Sequence, residues 1–251
     1  MTRINRMAAP IASGLALAAA ALATPAAVAQ SCSARSAAIA PAVVELYTSE
    51  GCNSCPPADK WLSRLKADPS VVALAFHVDY WDRLGWKDRF GSPAYTQRQA
   101  EQQRVSGARF SYTPQVILNG VDRPDWPRAP VGAGQAAPVE AQLARDGNRV
   151  TATVKPAANA PARLAAYWAV TEQGHVSDVK AGENQGVTLT HDYVVREYRQ
   201  VAAWPARADG GATTLQFELA GAADATHPRQ VNLVIVDADT GRPVQAVKLG
   251  C

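Results

Sequence analysis

The sequence predicts two structural units, an α/β unit followed by a small, sandwich-like all-β unit. The first is indicated by two apolar strand patterns with a helical pattern between them, within residues 43–78. The second is indicated by apolar–polar alternation with glycine-containing turns in the C-terminal half. A stretch rich in Pro, Ala and Gly at 124–138 separates them. We therefore expect an α/β unit over 41–143 and a β-rich unit over 144–251.

Composition limits the classes of function. The 251 residues are 47% hydrophobic, enough for one large core or two ordinary ones. The formal net charge is +3, and no dense run of Lys and Arg is present. Nucleic-acid binding is therefore not expected. No pattern indicates a cofactor or a dedicated metal site.

Residues 1–29 have the pattern of a secretory signal peptide. Its positive end, apolar middle and A-x-A-like cleavage site follow in order: Arg3 and Arg6, residues 11–22, and Ala27 to Ala29. A membrane anchor is the weaker alternative because the apolar middle is too short to cross a bilayer. We expect a periplasmic or secreted protein that leaves the membrane after cleavage. It would begin with a short N-terminal segment, residues 30–40.

Local patterns predict the elements of the first unit. In chain order they are a strand from Val43, a helix through 58–65, a buried strand at 71–78, an ordered loop at 79–91, a helix at 94–105 capped by Ser92, a strand at 115–118 and a short helix at 139–144. The Asn119-Gly120 pair predicts a hairpin turn. Five strands are predicted in the second unit: 149–155, 164–171, 191–203, 213–219 and 230–237.

A C-x-x-C pair, Cys52 and Cys55, lies where the first strand turns into the first helix. This spacing brings two sulfurs close enough to bridge and indicates redox chemistry. Unpaired backbone N–H groups and the positive end of the helix favour a thiolate at Cys52. We expect Cys52 to attack and Cys55 to resolve. The alternative is a purely structural disulfide.

Four cysteines are present, all after the predicted leader. An even count fits an oxidising compartment. If Cys52 and Cys55 are the redox pair, Cys32 and Cys251 remain, and we predict a bridge between these two ends of the mature chain. Two free terminal thiols are the alternative.

Over about residues 41–143 the pattern resembles the thioredoxin superfamily. The resemblance rests on the strand before Cys52-x-x-Cys55, the helix and strand that follow, and Thr113-Pro114 before an apolar strand. It implies a thioredoxin-like domain in which Pro114 is a cis-proline facing the dithiol. Thioredoxin has a buried aspartate for proton transfer six residues before the attacking cysteine. The corresponding position here is Leu46, which cannot transfer a proton, and the nearest carboxylate is that of the adjacent Glu45.

The longer motif ELYTSEGCNSCPPAD, with HVDYWD and GWKD, resembles a family of secreted bacterial proteins of unknown function. Members of that family combine a thioredoxin-like domain with a C-terminal β region. This resemblance extends over nearly all of the mature chain and implies no defined activity.

Other residues have both functional and structural interpretations. His77 and Asp79 end the second strand, at the same end of the sheet as the dithiol. In the functional interpretation they stabilise a thiolate or accept a proton, and in the structural interpretation they anchor the core or the loop. The aromatic residues after them either line a substrate groove or pack over the sheet: Trp81, Trp86 and Phe90. A charged group in the second unit is interpreted as cross-strand pairs: His191, Asp192, Arg196 and Glu197.

These observations favour an exported thiol-disulfide oxidoreductase that acts on protein or small-molecule thiols and disulfides. Neither the direction of electron flow nor the oligomeric state follows from the sequence. One alternative is a copper- or zinc-handling protein that uses Cys52, Cys55 and His77. The other is a non-catalytic binding protein with a structural disulfide.

Overall fold

The structure is a computed structural model that describes residues 1–2, 32–132, 134–206, 211–221 and 224–251. It is mostly β, with 44% strand and 13% helix, arranged as three sheets and two short α-helices. The prediction of an α/β thioredoxin-like domain followed by a small all-β domain is therefore wrong. Among the residues described, there is no α/β core of that kind.

The strands are β1 Cys32–Arg35, β2 Ala42–Thr48, β3 Val71–His77, β4 Gln115–Leu118, β5 Val121–Asp122, β6 Val139–Asp146, β7 Arg149–Pro156, β8 Arg163–Glu172, β9 His175–Asp178, β10 Thr188–His191, β11 Val194–Pro205, β12 Thr213–Glu218, β13 Arg229–Asp237 and β14 Pro243–Leu249. The helices are α1 Pro56–Ser63 and α2 Pro93–Ser106. Short 3-10 turns occupy Arg64–Ala67 and Asp82–Leu84.

The largest sheet draws strands from both halves of the chain. Its eight strands have the order β14-β13-β8-β11-β3-β2-β4-β5. The buried strand β3 pairs in parallel with β2, as an α/β unit requires, but its other neighbour is β11, where Val194 pairs with Ala75. From β11 outward the sheet continues with antiparallel strands instead of helix-linked parallel ones. The sequence boundary at residues 143 and 144 stays a prediction.

Several local predictions are confirmed. The Ser92 side chain caps α2 by accepting a hydrogen bond from the amide of Ala94. Asn119 and Gly120 both have positive φ angles in the turn between β4 and β5. The helix predicted at 139–144 is wrong, because these residues belong to β6 and alternate between buried and exposed positions. That alternation suits a strand paired on both sides, here by β1 and β7.

The two helices pack on opposite faces of the eight-stranded sheet. Leu62 of α1 packs with Val44 and Leu46 of β2. Tyr95 of α2 packs with Val43 of β2, on the other face. Next to them, a four-stranded sheet of order β1-β6-β7-β12 packs against β8, β13 and β14 through a third apolar cluster. The dithiol segment therefore belongs to the α1 face of the large sheet.

Two disulfides are present, Cys32–Cys251 and Cys52–Cys55. Such bonds fit an extracellular or periplasmic protein. The predicted leader falls outside the described residues except for its first two. In the described part of the chain, neither helix has the length and apolar character needed to span a bilayer.

A buried ion pair organises the α2 face. Arg98 of α2 forms a two-point contact with the Glu45 carboxylate, and both side chains are about 5% exposed. The hydroxyls of Tyr47 and Tyr167 each donate to the same carboxylate at 2.6 Å. Glu45 thereby links β2, β8 and α2 and has every oxygen engaged.

We expect Glu45→Gln to lower the free energy of unfolding by about 3–5 kcal/mol, because it leaves the buried Arg98 charge without its partner. Urea denaturation followed by circular dichroism measures this. Asp125→Asn removes the acid of an exposed pair with Arg123 and should leave the denaturation midpoint nearly unchanged. Equal effects of the two substitutions would contradict the structural role of Glu45.

Candidate functional site

The C-x-x-C pair lies on the turn between β2 and α1. Thr48 ends β2, and the turn continues to Cys55, which is the N-terminal cap residue of α1. Cys52 and Cys55 are bonded to each other. The sequence predicts this position because an apolar strand pattern stops at Thr48 and two prolines follow Cys55 at the start of the helix.

The cis peptide bond Thr113–Pro114 lies beside this disulfide. The Thr113 hydroxyl donates to Cys52 Sγ at 3.3 Å, and Trp81 Nε1 donates to that hydroxyl oxygen at 2.8 Å. Ser54 Oγ lies 3.4 Å from the same sulfur. Two hydroxyls therefore face Cys52 Sγ, and the indole of Trp81 fixes the orientation of one of them.

Both cysteines are completely buried, with 0% exposure, although Asn53 and Ser54 between them are exposed. The disulfide thus lies just beneath a surface turn. A thiolate that attacks either sulfur must approach in line with the S–S bond. In the described conformation such an attack requires a local opening of the structure.

The loop between β9 and β10, residues 179–187, packs on this turn. Asn184 is buried, and its side-chain amide donates to the carbonyls of Glu50 and Cys52 at 2.8 and 3.0 Å. The amide of Asn53 donates to the Glu183 carboxylate at 3.1 Å. This segment, far along the chain, therefore holds the backbone on both sides of Cys52.

A second polar group lies next to the turn, beneath α1. We call it the histidine cluster, and it consists of Glu50, Asp59, His77, Asp88 and His191. Each member is at least 93% buried. His77 Nδ1 lies 2.7 Å from Asp88 Oδ2, and His191 Nε2 lies 3.4 Å from Glu50 Oε1. Alternation along β2 and β3 turns Thr48 and His77 toward α1, where Thr48 donates to Asp59.

The charges in this cluster are strongly perturbed. Burial alone would raise the pKa of Asp88, but the adjacent His77 and two backbone N–H donors lower it to about 2. Burial would lower the pKa of His191, but the carboxylates of Asp59 and Glu50 raise it to about 9. The pKa of Glu50 is lowered despite its burial, by the His191 imidazole and by Trp86, which donates to it. Buried groups with strongly shifted pKa values concentrate at functional sites.

The structure separates the residues that the sequence singled out. Glu45 lies on the α2 face with Arg98, away from α1, so it has no contact with the disulfide. Asp79 accepts a hydrogen bond from Thr96 of α2 and anchors that helix. Among the predicted auxiliary residues, Thr113 is the one that forms a described hydrogen bond with Cys52. His77 belongs to the histidine cluster.

The aromatic residues after β3 contact residues of the site from the protein interior. Trp81 and Trp86 use their indole N–H groups to bind Thr113 and Glu50. Phe90 is buried and its ring packs on those of His77 and His191. These contacts favour the packing interpretation over an open substrate groove.

Sequence reasoning missed most of the histidine cluster. The sequence favours a cross-strand charge pair for His191, yet its ring lies beside that of His77, with centroids 5.0 Å apart. Its neighbour Asp192 instead pairs with Lys66. Nothing in the sequence indicates this contact, because 114 residues separate the two histidines. Asp88 had a local signal, the motif GWKD.

Comparison with known proteins identifies a family. A family model described as "Protein of unknown function (DUF1223)" matches residues 43–237. The chain belongs to the DUF1223 family. The matched region includes the Cys52–Cys55 disulfide and the whole histidine cluster, whereas Cys32 and Cys251 lie outside it.

Two solved structures resemble this DUF1223 chain. Protein AGR_C_4864 from Agrobacterium tumefaciens is 27% identical, with a TM-score of 0.58, over 83% of this chain and 93% of that one. HBP35 of Porphyromonas gingivalis is 16% identical, with a TM-score of 0.56, over 85% of this chain and 76% of that one, and shares the fold. No curated protein matches the chain. Neither name states an activity that the DUF1223 chain would inherit.

The contact between Asn184 and the dithiol turn predicts the reactivity of the disulfide. Asn184→Ala removes two hydrogen bonds that together contribute about 1–3 kcal/mol, so local opening should become roughly 5- to 150-fold more frequent. We expect dithiothreitol to reduce Cys52–Cys55 faster by a factor in this range, measured by quench and mass spectrometry.

Asn232→Ala is the matched control, since Asn232 is also buried and donates to a backbone carbonyl, that of Ala169. Its reduction rate should equal that of the wild type. Equal rates for Asn184→Ala and the wild type would show that the 179–187 loop does not limit access to the disulfide.

Proposed function

We propose that this DUF1223 chain is an exported thiol-disulfide oxidoreductase whose redox group is the Cys52–Cys55 pair. The observation that carries the proposal is the position of this disulfide at the start of α1, where the hydroxyl of Thr113, the residue before Pro114, donates a hydrogen bond to Cys52 Sγ. The resemblance to the thioredoxin superfamily supports the same chemistry. The proposal concerns this local arrangement and does not extend to the thioredoxin fold.

The surroundings favour Cys52 as the attacking group. Hydroxyl donors from Thr113 and Ser54 lie at 3.3 and 3.4 Å from its sulfur. A hydrogen bond to a charged acceptor contributes about 1.5–3 kcal/mol, and the positive end of α1 adds to it. These interactions oppose the cost of a buried thiolate. No corresponding side-chain contact is found for Cys55 within the described residues.

The proposed reaction transfers two electrons. The Cys52 thiolate attacks a partner disulfide, forms a mixed disulfide and releases one partner thiolate, which takes up a proton. The Cys55 thiol then loses its proton and attacks Cys52 Sγ, which breaks the mixed disulfide and releases the second partner sulfur as a thiol. The partner is reduced and Cys52–Cys55 is oxidised. Run in reverse, the same steps oxidise a partner dithiol.

The surroundings of the protein support this chemistry. The leader that the sequence predicts would export the chain to the periplasm or out of the cell, where disulfides persist. Protein or small-molecule thiols and disulfides are the partners we propose there. The burial of the sulfurs favours partners that engage the turn at Asn53 and Ser54 and displace its cover.

A structural disulfide is the second candidate. It is favoured by the complete burial of Cys52 and Cys55. In that case the bond would hold the turn beneath the 179–187 loop and would not exchange with partners in the folded protein. The two candidates predict opposite results in an exchange assay.

We expect the purified mature chain to equilibrate with a glutathione redox buffer while it stays folded, and Cys52→Ser to abolish reduction of a disulfide-bonded model substrate. Cys55→Ser should accumulate mixed disulfides, because the resolving thiol is missing. Substrate reduction is followed by turbidity or by a fluorogenic disulfide.

The control is the double variant Cys32→Ser with Cys251→Ser, which removes the other disulfide and should retain exchange. If the wild type exchanges with no partner until it unfolds, the Cys52–Cys55 bond is structural and the proposed activity is wrong.

A further inference from the structure

The histidine cluster contains buried polar atoms that have no partner. His77 Nε2, both ring nitrogens of His191 and Glu50 Oε1 form no hydrogen bond with any described residue. His77 and Glu50 are 0% exposed and His191 is 1% exposed. Unpartnered buried polar atoms are rare in native proteins unless a water molecule or an ion completes them. Four such atoms converge here.

Three residues of the cluster have ligand atoms spaced for binding one shared ion, whereas the spacing is too wide for hydrogen bonds between them. Asp59, His77 and His191 each offer one ligand atom, and these atoms all lie within 4.8 Å of one another. His191 Nδ1 and Asp59 Oδ1 are 3.9 Å apart, too far for a hydrogen bond. Two ligands of one tetrahedral zinc ion lie about 3.4 Å apart, so side-chain adjustments of about 1 Å would close the site.

The opposite nitrogen of each histidine faces a carboxylate. His77 Nδ1 lies 2.7 Å from Asp88 Oδ2, and the same carboxylate accepts hydrogen bonds from the amides of Glu50 and Phe90. Donation from Nδ1 to this carboxylate leaves the lone pair of Nε2 directed into the cluster. His191 Nε2 faces Glu50 at 3.4 Å, and Trp86 fixes that carboxylate through its other oxygen. Metal-binding histidines have this arrangement, in which an outer carboxylate orients the ring.

The negative charge of the histidine cluster also favours a bound cation. Glu50, Asp59 and Asp88 are three buried carboxylates, and no Lys or Arg in the part of the chain that the structure describes forms an ion pair with them. On the other face of the sheet, the buried carboxylate of Glu45 is paired with Arg98. The imidazole of His191 lies among these carboxylates, yet neither of its nitrogens forms a hydrogen bond with them.

We infer that Asp59, His77 Nε2 and His191 Nδ1 form a binding site for a divalent transition-metal ion such as Zn²⁺, with Asp88 and Glu50 orienting the two imidazoles. Two imidazoles and a carboxylate are preferred ligands of Zn²⁺ and its neighbours in the first transition row. A cavity of about 70 Å³ lies beside the site, and its lining includes Asp59 and His191. The site uses neither cysteine and is independent of the proposed redox function.

The test uses the untagged mature chain after treatment with a chelator. We expect it to bind one Zn²⁺ per chain in isothermal titration. Asp88→Asn should weaken binding about 10- to 100-fold, the usual effect of losing an orienting carboxylate. His77→Gln and His191→Gln should weaken it further. His175→Gln is the matched control, because His175 is another buried histidine paired with a carboxylate, that of Glu172, and it should bind as the wild type does.

A second measurement guards against variants that do not fold. Co²⁺ added to the wild type, and to Cys52→Ser with Cys55→Ser, should give the same visible absorption of nitrogen and oxygen ligands, without a sulfur-to-metal charge-transfer band. The inference is overturned if the wild type binds no Zn²⁺ stoichiometrically. It is also overturned if folded His77→Gln and His191→Gln retain wild-type affinity, or if binding disappears only when the cysteines are replaced.

Discussion

The parallel pairing of β2 with β3 positions everything else in the site. Its register aligns Thr48 with His77, so both strands end at the same edge of the sheet. The turn that carries Cys52 and the loop that carries Asp88 both start from that edge. A bond from the Glu50 amide to the Asp88 carboxylate, 2.9 Å long, then joins the two segments. Loss of this register by one residue would turn His77 toward α2 and dismantle the cluster.

The same alternation places a buried polar group on each face of β2 and β3, and the two groups have different properties. On the α2 face, Glu45 is fully satisfied by Arg98 and two tyrosines, an arrangement that stabilises and needs no ligand. On the α1 face, the histidine cluster is left with unpartnered atoms and unbalanced carboxylates. The buried group that is incomplete is also the one linked through Glu50 and Asn184 to the backbone of Cys52. This contrast within one sheet is why we assign function to one face and stability to the other.

Local signals in the sequence predicted local structure well. The cap at Ser92, the Asn119-Gly120 turn and the strand-to-helix turn at the C-x-x-C pair each depend on a few adjacent residues, and each is found in the structure. The large-scale fold was missed because it depends on pairing between distant segments. An apolar strand such as β3 has the same sequence whether its outer neighbour is another parallel strand or β11 from residue 194 onward. The helix expected at 139–144 failed for a related reason, since the partners β1 and β7 make an alternating segment a strand.

The residues of the site also fall into two groups, those that short motifs predict and those that only distant contacts bring together. The disulfide and Thr113-Pro114 were predicted from the sequence because each belongs to a short, recognisable motif. The roles of His191 and Asn184 were missed, because such residues in a hairpin have no signal until the fold brings β10 and the 179–187 loop against α1 and the dithiol turn. Asp59 lies within the quoted C-x-x-C motif, but its contact with His191 depends on the same packing. The sequence also did not indicate that the cysteines are buried, since the residues between them are polar and exposed.

The central claim is that the folded chain primes Cys52 for thiol chemistry, and the pKa of its thiol in the reduced protein tests this most directly. The rate of alkylation by iodoacetamide, followed against pH with peptide-level detection, yields that pKa. We predict modification of Cys52 before Cys55, with an apparent pKa below the usual value of about 8.5. An apparent pKa at or above that value, or alkylation only after unfolding, would contradict the claim.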